Sequence, residues 1–146
     1  AEEGMLVQAG HGYIAPGDFH MEIARVDNHL QIHLNKNPPE NSCRPAVDPL
    51  FRSVVAEFGS RVLGVILTGM GQDGLRGCQG MKEEGGTVLV QDEASSVVWG
   101  MPGYVAQAGL ADAILPLKDI GIEMIRRILH ADRNATTVSR NIQVRT

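Results

Sequence analysis

The hexapeptide Gly69-Met70-Gly71-Gln72-Asp73-Gly74 directly follows an apolar run and carries the residues best suited to chemistry. Asp73 lies where a strand turns into a helix, so its carboxylate sits near a helix amino terminus, a place that favours negative charge. That position suits an acid that orients a catalytic histidine. It equally suits a plain cap of the helix that follows, and the spacing alone leans toward the cap. Met70 stands between two glycines that let the backbone turn sharply, so its N–H could face a developing oxyanion. Packing of its thioether into the core fits as well. The same six residues also match G-x-G-x-x-G, with Asp92 at the end of the following strand, where a ribose-binding acid would lie. A nucleotide-binding module using Gly69–Gly74 is therefore a rival reading. Against it, the charge of Asp73 occupies the helix terminus that a pyrophosphate needs.

The other candidates are weaker. None of the serines at 42, 53, 60, 95, 96 and 139 lies in G-x-S-x-G, so the chain shows no nucleophile elbow. His29 and His33 share a strand face but stand about 13 Å apart at ~3.3 Å per residue, too far to chelate one metal. They read as surface histidines. Cys43 and Cys78 have no C-x-x-C or Cys/His spacing, which argues against a disulfide framework or structural zinc and for buried free thiols. Trp99 precedes Gly100-Met101-Pro102 and either lines a cleft or anchors its loop on the core, the commoner outcome.

Positioning these residues requires a sheet. Val62 to Thr68 is continuously apolar, as expected of a strand covered on both faces in a parallel sheet. A helix from about Leu75 to Glu84 ends at Gly85-Gly86, and Thr87-Val88-Leu89-Val90 reads as the next buried strand, completing a βαβ unit. Ligands of open α/β sheets bind beyond the carboxyl ends of the strands, which places Thr68–Gly74 and Gln91–Ser96 on the working edge. Upstream, Asp48-Pro49 reads as a helix start with Asp48 as its cap; Leu50, Phe51, Val54, Val55 and Phe58 line one face, and Gly59 supplies the stop.

Met21 to Leu34 alternates and breaks at Asp27-Asn28, the pattern of an antiparallel hairpin with one buried face. Gly12-Tyr13-Ile14-Ala15 reads as another short strand, ended by Pro16-Gly17-Asp18. Asn35 to Pro45 carries three prolines and reads as loop. Ala113-Ile114-Leu115 predicts a further strand, followed by an amphipathic helix marked by Ile122, Ile125, Ile128 and Leu129. The polar stretch 132–146 predicts a flexible tail.

At 146 residues and 43% hydrophobic positions, one domain or part of one is expected. Seventeen glycines and few aromatics suit an α/β core of small aliphatic residues. A formal charge of −4 gives no broad attraction to a phosphate backbone, so a nucleic-acid partner has no support. There is no basic amphipathic run and no apolar stretch near the roughly 18 residues that span a bilayer, and the acidic start is unlike a signal peptide. The expectation is a soluble, cytoplasmic protein with no direct membrane insertion.

Four ordered segments carry a more specific likeness. They are His11 to Asp18 with His20-Met21; Arg44-Pro45-Ala46-Val47-Asp48; Ile66-Leu67-Thr68 with the hexapeptide Gly69–Gly74; and Gln91 to Pro102. Together they resemble the catalytic domain of CheB-type protein-glutamate methylesterases, from Ala1 to about Leu129. The resemblance implies a doubly wound α/β fold, with a mostly parallel sheet, helices on both faces and the antiparallel hairpin. Residues 1–131 would be the carboxyl-terminal part of that domain, here incomplete. It implies a Ser-His-Asp triad that hydrolyses γ-glutamyl methyl esters on chemoreceptors, releasing methanol, and deamidates certain receptor glutamines. By the motif match, Asp73 is the triad acid and Met70 holds the oxyanion-hole position. The nucleophilic serine and the base histidine lie upstream in the family and are not in this chain, so these residues alone are expected to be inactive. No metal or organic cofactor is implied. The implied partners are methylated chemoreceptor cytoplasmic domains, an amino-terminal receiver domain and its histidine kinase. The remaining rival is a noncatalytic interaction domain.

Overall fold

The computed structural model describes residues 1–142, with side-chain surroundings as far as residue 130. Strands β1 (His20–Val26) and β2 (His29–Asn35) form the antiparallel hairpin, with Met21 opposite Leu34 and Ile23 opposite Ile32. Asp27 and Asn28 make its turn with φ of 47° and 68°, the left-handed pair whose twist matches that of the strands. Met21 and Ile32 are buried, and β1 lies against helix α1 (Val47–Phe58). The Ser53 hydroxyl accepts the Ile23 N–H at 3.0 Å, and Arg25 pairs with Glu57 across the same seam.

The strand expected at Gly12–Ala15 is not formed. The segment that runs along β2 is instead Gly4–Val7, where Gly4 and Val7 donate to Ile32 and Leu30 and Met5 accepts from Ile32. Residues 12–15 lie outside that pairing and are tied to the same segment instead: the Tyr13 hydroxyl donates to the Leu6 carbonyl and accepts the Gln8 N–H, the Ile14 carbonyl accepts from the Ala1 ammonium, and the Ile14 residue is exposed.

Strands β3 (Leu63–Ile66), β4 (Thr87–Gln91) and β5 (Ala113–Leu115) form a parallel sheet in the order β3-β4-β5. Val88, Leu89 and Val90 are all fully buried. Since successive strand side chains point to opposite faces, both faces of β4 are covered, which is why its sequence does not alternate. Helix α2 (Leu75–Glu83) connects β3 to β4, and α3 (Met101–Gln107) lies between β4 and β5. Val62, Ile66, Cys78, Met81, Val88, Val90 and Val105 form the core, with Phe51, Val54 and Phe58 of α1 packed on it.

Helix α4 (Leu117–Ile142) follows β5. Its Ile120 is buried, but Ile122, Ile125, Ile128 and Leu129, the apolar residues that marked it in sequence, are exposed among the described residues. The stretch read as a flexible tail begins inside this helix, and its last residues, 143–146, lie outside those described. No helix among the described residues is long and apolar enough to cross a membrane.

Candidate active site

Asp73 occupies the turn between β3 and α2 and is 7% exposed. Its Oδ2 accepts the Val47 N–H at 2.7 Å. Its Oδ1 accepts the Asp48 N–H at 3.2 Å, the Gly74 N–H at 3.0 Å and an amide hydrogen of Asn41 Nδ2 at 3.0 Å. Val47 and Asp48 are the first residues of α1. Asp73 thus caps α1, a helix distant in sequence, rather than simply capping the α2 that follows it.

Asp48 does not cap its own helix, contrary to the sequence reading. It is the second residue of α1, its N–H already belongs to Asp73, and its buried carboxylate reaches across to α2. There Oδ1 accepts the Gly77 N–H at 2.8 Å, while Oδ2 takes the other Asn41 Nδ2 bond at 2.9 Å. Two helix amino termini therefore face two carboxylates, and the positive ends of both helices offset the cost of burying the charge. An ionised carboxylate offers about four acceptor positions. Oδ1 of Asp73 receives three donors and Oδ2 only one, so its remaining capacity lies on Oδ2. A donor such as an imidazole N–H is what that oxygen can still accept.

The glycine turn is braced from the other side of the sheet edge. Gly69 donates to Val98 at 3.0 Å, and its carbonyl accepts from Gly100 and Met101 at 3.1 and 2.8 Å. Gly100 admits no side chain, because a Cβ there would meet the Gly69 oxygen at 2.7 Å and the Gly71 nitrogen at 2.9 Å. Gly71, with φ of 88°, supplies the left-handed turn. Met70 is 85% exposed, so the reading in which its thioether packs into the core does not hold. Among the described residues neither the Met70 nor the Gly71 N–H has an acceptor. A turn of this kind presents backbone donors on the working edge.

Gln91 was not singled out from the sequence, yet it joins the two working loops. Fully buried at the end of β4, it accepts the Thr68 N–H through Oε1 at 2.8 Å and donates through Nε2 to the Ser95 carbonyl at 2.7 Å. A lone amide ending an apolar strand was the available signal. Trp99 donates from Nε1 to the Gln91 carbonyl at 3.2 Å, and its ring packs on Gly103, so it anchors its loop. His20 is buried with Nδ1 accepting from Ala46 and Nε2 donating to Pro38, which fixes one tautomer and leaves no ring nitrogen for proton transfer.

The remaining candidates are engaged elsewhere. His33 pairs with Glu3 at the surface. Cys43 is exposed, which corrects its expected burial; Cys78 is buried, and that burial, with the nearby Asp48 charge, pushes its thiol up to about 12, far from a nucleophilic thiolate. Asp92 accepts the Ser95 N–H at 3.0 Å and the Ser95 hydroxyl, closing its own loop. Asp48 and Asp73 take the Gly77 and Gly74 amides of the α2 terminus, so a pyrophosphate there would meet two carboxylates.

A parallel sheet flanked by helices, with a carboxylate and a glycine turn at the carboxyl end of its first strand, defines a doubly wound α/β domain, and the candidate residues lie at the edge where such sheets bind ligands. The family model described as CheB methylesterase matches residues 1–124. The protein-glutamate methylesterase/protein-glutamine glutaminase of Trichodesmium erythraeum is 57% identical over 128 residues, 88% of this chain and 36% of that protein. The protein of the same name from Azospirillum brasilense is 61% identical over 122 residues, 83% of this chain and 31% of its own length. The crystal structure of the Thermotoga maritima CheB methylesterase catalytic domain superposes with a TM-score of 0.84 at 40% identity, covering 86% of this chain and 67% of that one. The chain belongs to the CheB methylesterase family. It spans about a third of the length of the curated relatives it matches.

Proposed function

We propose that the protein to which these residues belong hydrolyses glutamate γ-methyl esters on chemoreceptors, releasing methanol, and deamidates receptor glutamines. The observation that carries this reading is the Asp73 carboxylate, fixed by donors from Val47, Asp48, Gly74 and Asn41, with acceptor capacity left on Oδ2. The names of the relatives, methylesterase and glutaminase, support the substrate class.

In this scheme Asp73 is the triad acid. It receives an N–H from the base histidine, so the other ring nitrogen faces the nucleophilic serine and the imidazolium that forms is stabilised. Histidine takes the serine proton as the hydroxyl oxygen attacks the ester carbonyl, and the carbonyl oxygen turns its charge toward the Met70 N–H. Collapse returns the proton to the departing methoxide as methanol. Water then repeats the sequence on the acyl-enzyme and frees the glutamate. Serine and histidine come from residues outside this chain. The reading also includes an amino-terminal receiver domain, phosphorylated by its histidine kinase, and a cytoplasmic location at the receptors' inner domains. A nucleotide-binding module is disfavoured by the two carboxylates at the α2 terminus.

The test is methanol release from methyl-esterified receptor by the full-length protein, as wild type and as Asp73→Asn. Release by wild type and a fall in kcat of about 10⁴-fold, the size of effect when a triad aspartate becomes asparagine, supports the reading. Equal release by both reduces Asp73 to a helix cap, and no release by either removes the methylesterase assignment.

A further inference from the structure

We propose that Asn41 is a positioning residue that orients the Asp73 carboxylate through a single amide shared with Asp48; this rests on Asp73 being the triad acid. Asn41 Nδ2 lies 2.9 Å from Asp48 Oδ2 and 3.0 Å from Asp73 Oδ1. An amide nitrogen has two hydrogens and no acceptor, so each goes to one carboxylate and both oxygens act as acceptors. Two negative groups are thereby held side by side through a common donor instead of through a shared proton.

The bridge decides which oxygen of Asp73 faces the base. With Asn41, Oδ1 carries three donors and is filled; without it the two oxygens become more alike, and the carboxylate has less reason to keep Oδ2 toward a histidine. The turn that supplies Asn41 is built to hold it. Asn41 and Ser42 have φ of 50° and 64°, a conformation asparagine tolerates well. Glu40 and Cys43 close the turn with reciprocal backbone bonds of 3.2 and 2.9 Å, and Arg52 of α1 grips the Glu40 carboxylate with both terminal nitrogens. The amide is thus fixed to the same helix that Asp73 caps.

The experiment uses the full-length protein with methyl-esterified receptor and three variants: Asn41→Asp, Asn41→Ser, and the exchange Asn41→Asp with Asp48→Asn. Asn41→Asp sets three carboxylates together, and Asn41→Ser keeps one hydroxyl hydrogen, enough for one partner only. Both are expected to lower kcat by about 10- to 100-fold, the scale of a small misplacement of a catalytic group, with KM held within about twofold. The exchange restores an amide–carboxylate pair between positions 41 and 48 but still offers Asp73 no amide hydrogen from position 41. Recovery of the melting temperature without recovery of kcat supports positioning of Asp73. Recovery of both, or an Asn41→Ser enzyme with wild-type kcat, overturns it in favour of a purely structural bridge. Should Asn41→Asp fail to fold, Asn41→Ser decides by the same kcat criterion. A wild-type protein that releases no methanol overturns the function reading and this proposal with it, whereas an active wild type with unimpaired Asn41 variants overturns this proposal alone.

Discussion

Asp48 and Asp73 exchange helix caps: Asp73 receives the first N–H groups of α1, on which Asp48 sits, and Asp48 receives the Gly77 N–H of α2, which Asp73 precedes. The two helices are therefore tied end to end by groups that neither could find locally. The candidate catalytic carboxylate is one half of that tie. Its orientation and the fold of the sheet edge have a common cause.

Removing the other half is expected to be costly to stability. Asp48→Ala strips the acceptor from the buried Gly77 N–H and from one hydrogen of the partly buried Asn41 amide. Loss of a cap together with an unsatisfied buried donor predicts a loss of about 2–3 kcal/mol, read from urea unfolding against wild type. A change under about 0.5 kcal/mol would mean that the exchange of caps contributes little.

Met70 is expected to act through its backbone. The residue is 85% exposed, so Met70→Ala should change stability by no more than about 0.5 kcal/mol and leave methanol release close to wild type. Met70→Pro deletes the N–H and should lower kcat by about 10²–10³-fold, the effect of losing one oxyanion donor. A large loss in Met70→Ala would instead assign the role to the thioether.

Local patterns were legible where the determinant was local. The unbroken Thr87-Val88-Leu89-Val90 run announced a buried strand, Asp27-Asn28 announced the break in the β1–β2 hairpin, and Gly59 ended α1 as expected, whereas Val62–Thr68, read as covered on both faces, gives the shorter edge strand β3, in which only Gly64 and Ile66 are buried. Asp73 and Met70 were legible as candidates because a glycine turn after an apolar strand is a recognisable place for chemistry. Their setting was not. The donors to Asp73 lie 25 to 32 residues away, apart from Gly74, and Asn41 comes from a proline-rich loop with no periodic signal. The short helix α3 had no reading from the sequence, and its Pro102 and Gly103 are poor helix formers; proline is nonetheless tolerated in a first turn, and Gly103 lets the Trp99 ring pack closely, 3.1 Å from where a Cβ would stand.

The two cysteines should differ sharply in reactivity. Cys78 is buried with its thiol pushed up to about 12, whereas Cys43 is exposed. A neutral thiol reagent at about pH 8 should therefore modify Cys43 in the native protein and reach Cys78 only in denaturant, because the thiolate is the reacting form. Modification of Cys78 at a comparable rate under native conditions would show that the α2 core opens far more readily than its packing indicates.

The pair Lys82–Asp112 predicts an acid-sensitive contribution to stability. Burial raises the Asp112 carboxyl, but the Lys82 ammonium at 2.7 Å and the Val88 N–H outweigh it and hold the group below its ordinary value of 3.8. A carboxylate depressed on folding adds stability above the unfolded value and loses it as pH falls through the folded one. Asp112→Asn should therefore cost about 1 kcal/mol near pH 7, a modest figure because both partners are partly exposed to solvent. The gap between variant and wild type should close as pH is lowered below the ordinary carboxylate range, where both side chains are neutral. Urea unfolding of the two proteins at matched pH values reads this directly, since the other carboxylates titrate alike in both. A gap that stayed constant into strong acid would assign the effect to the shape of the side chain and its bond to Val88, not to the charge.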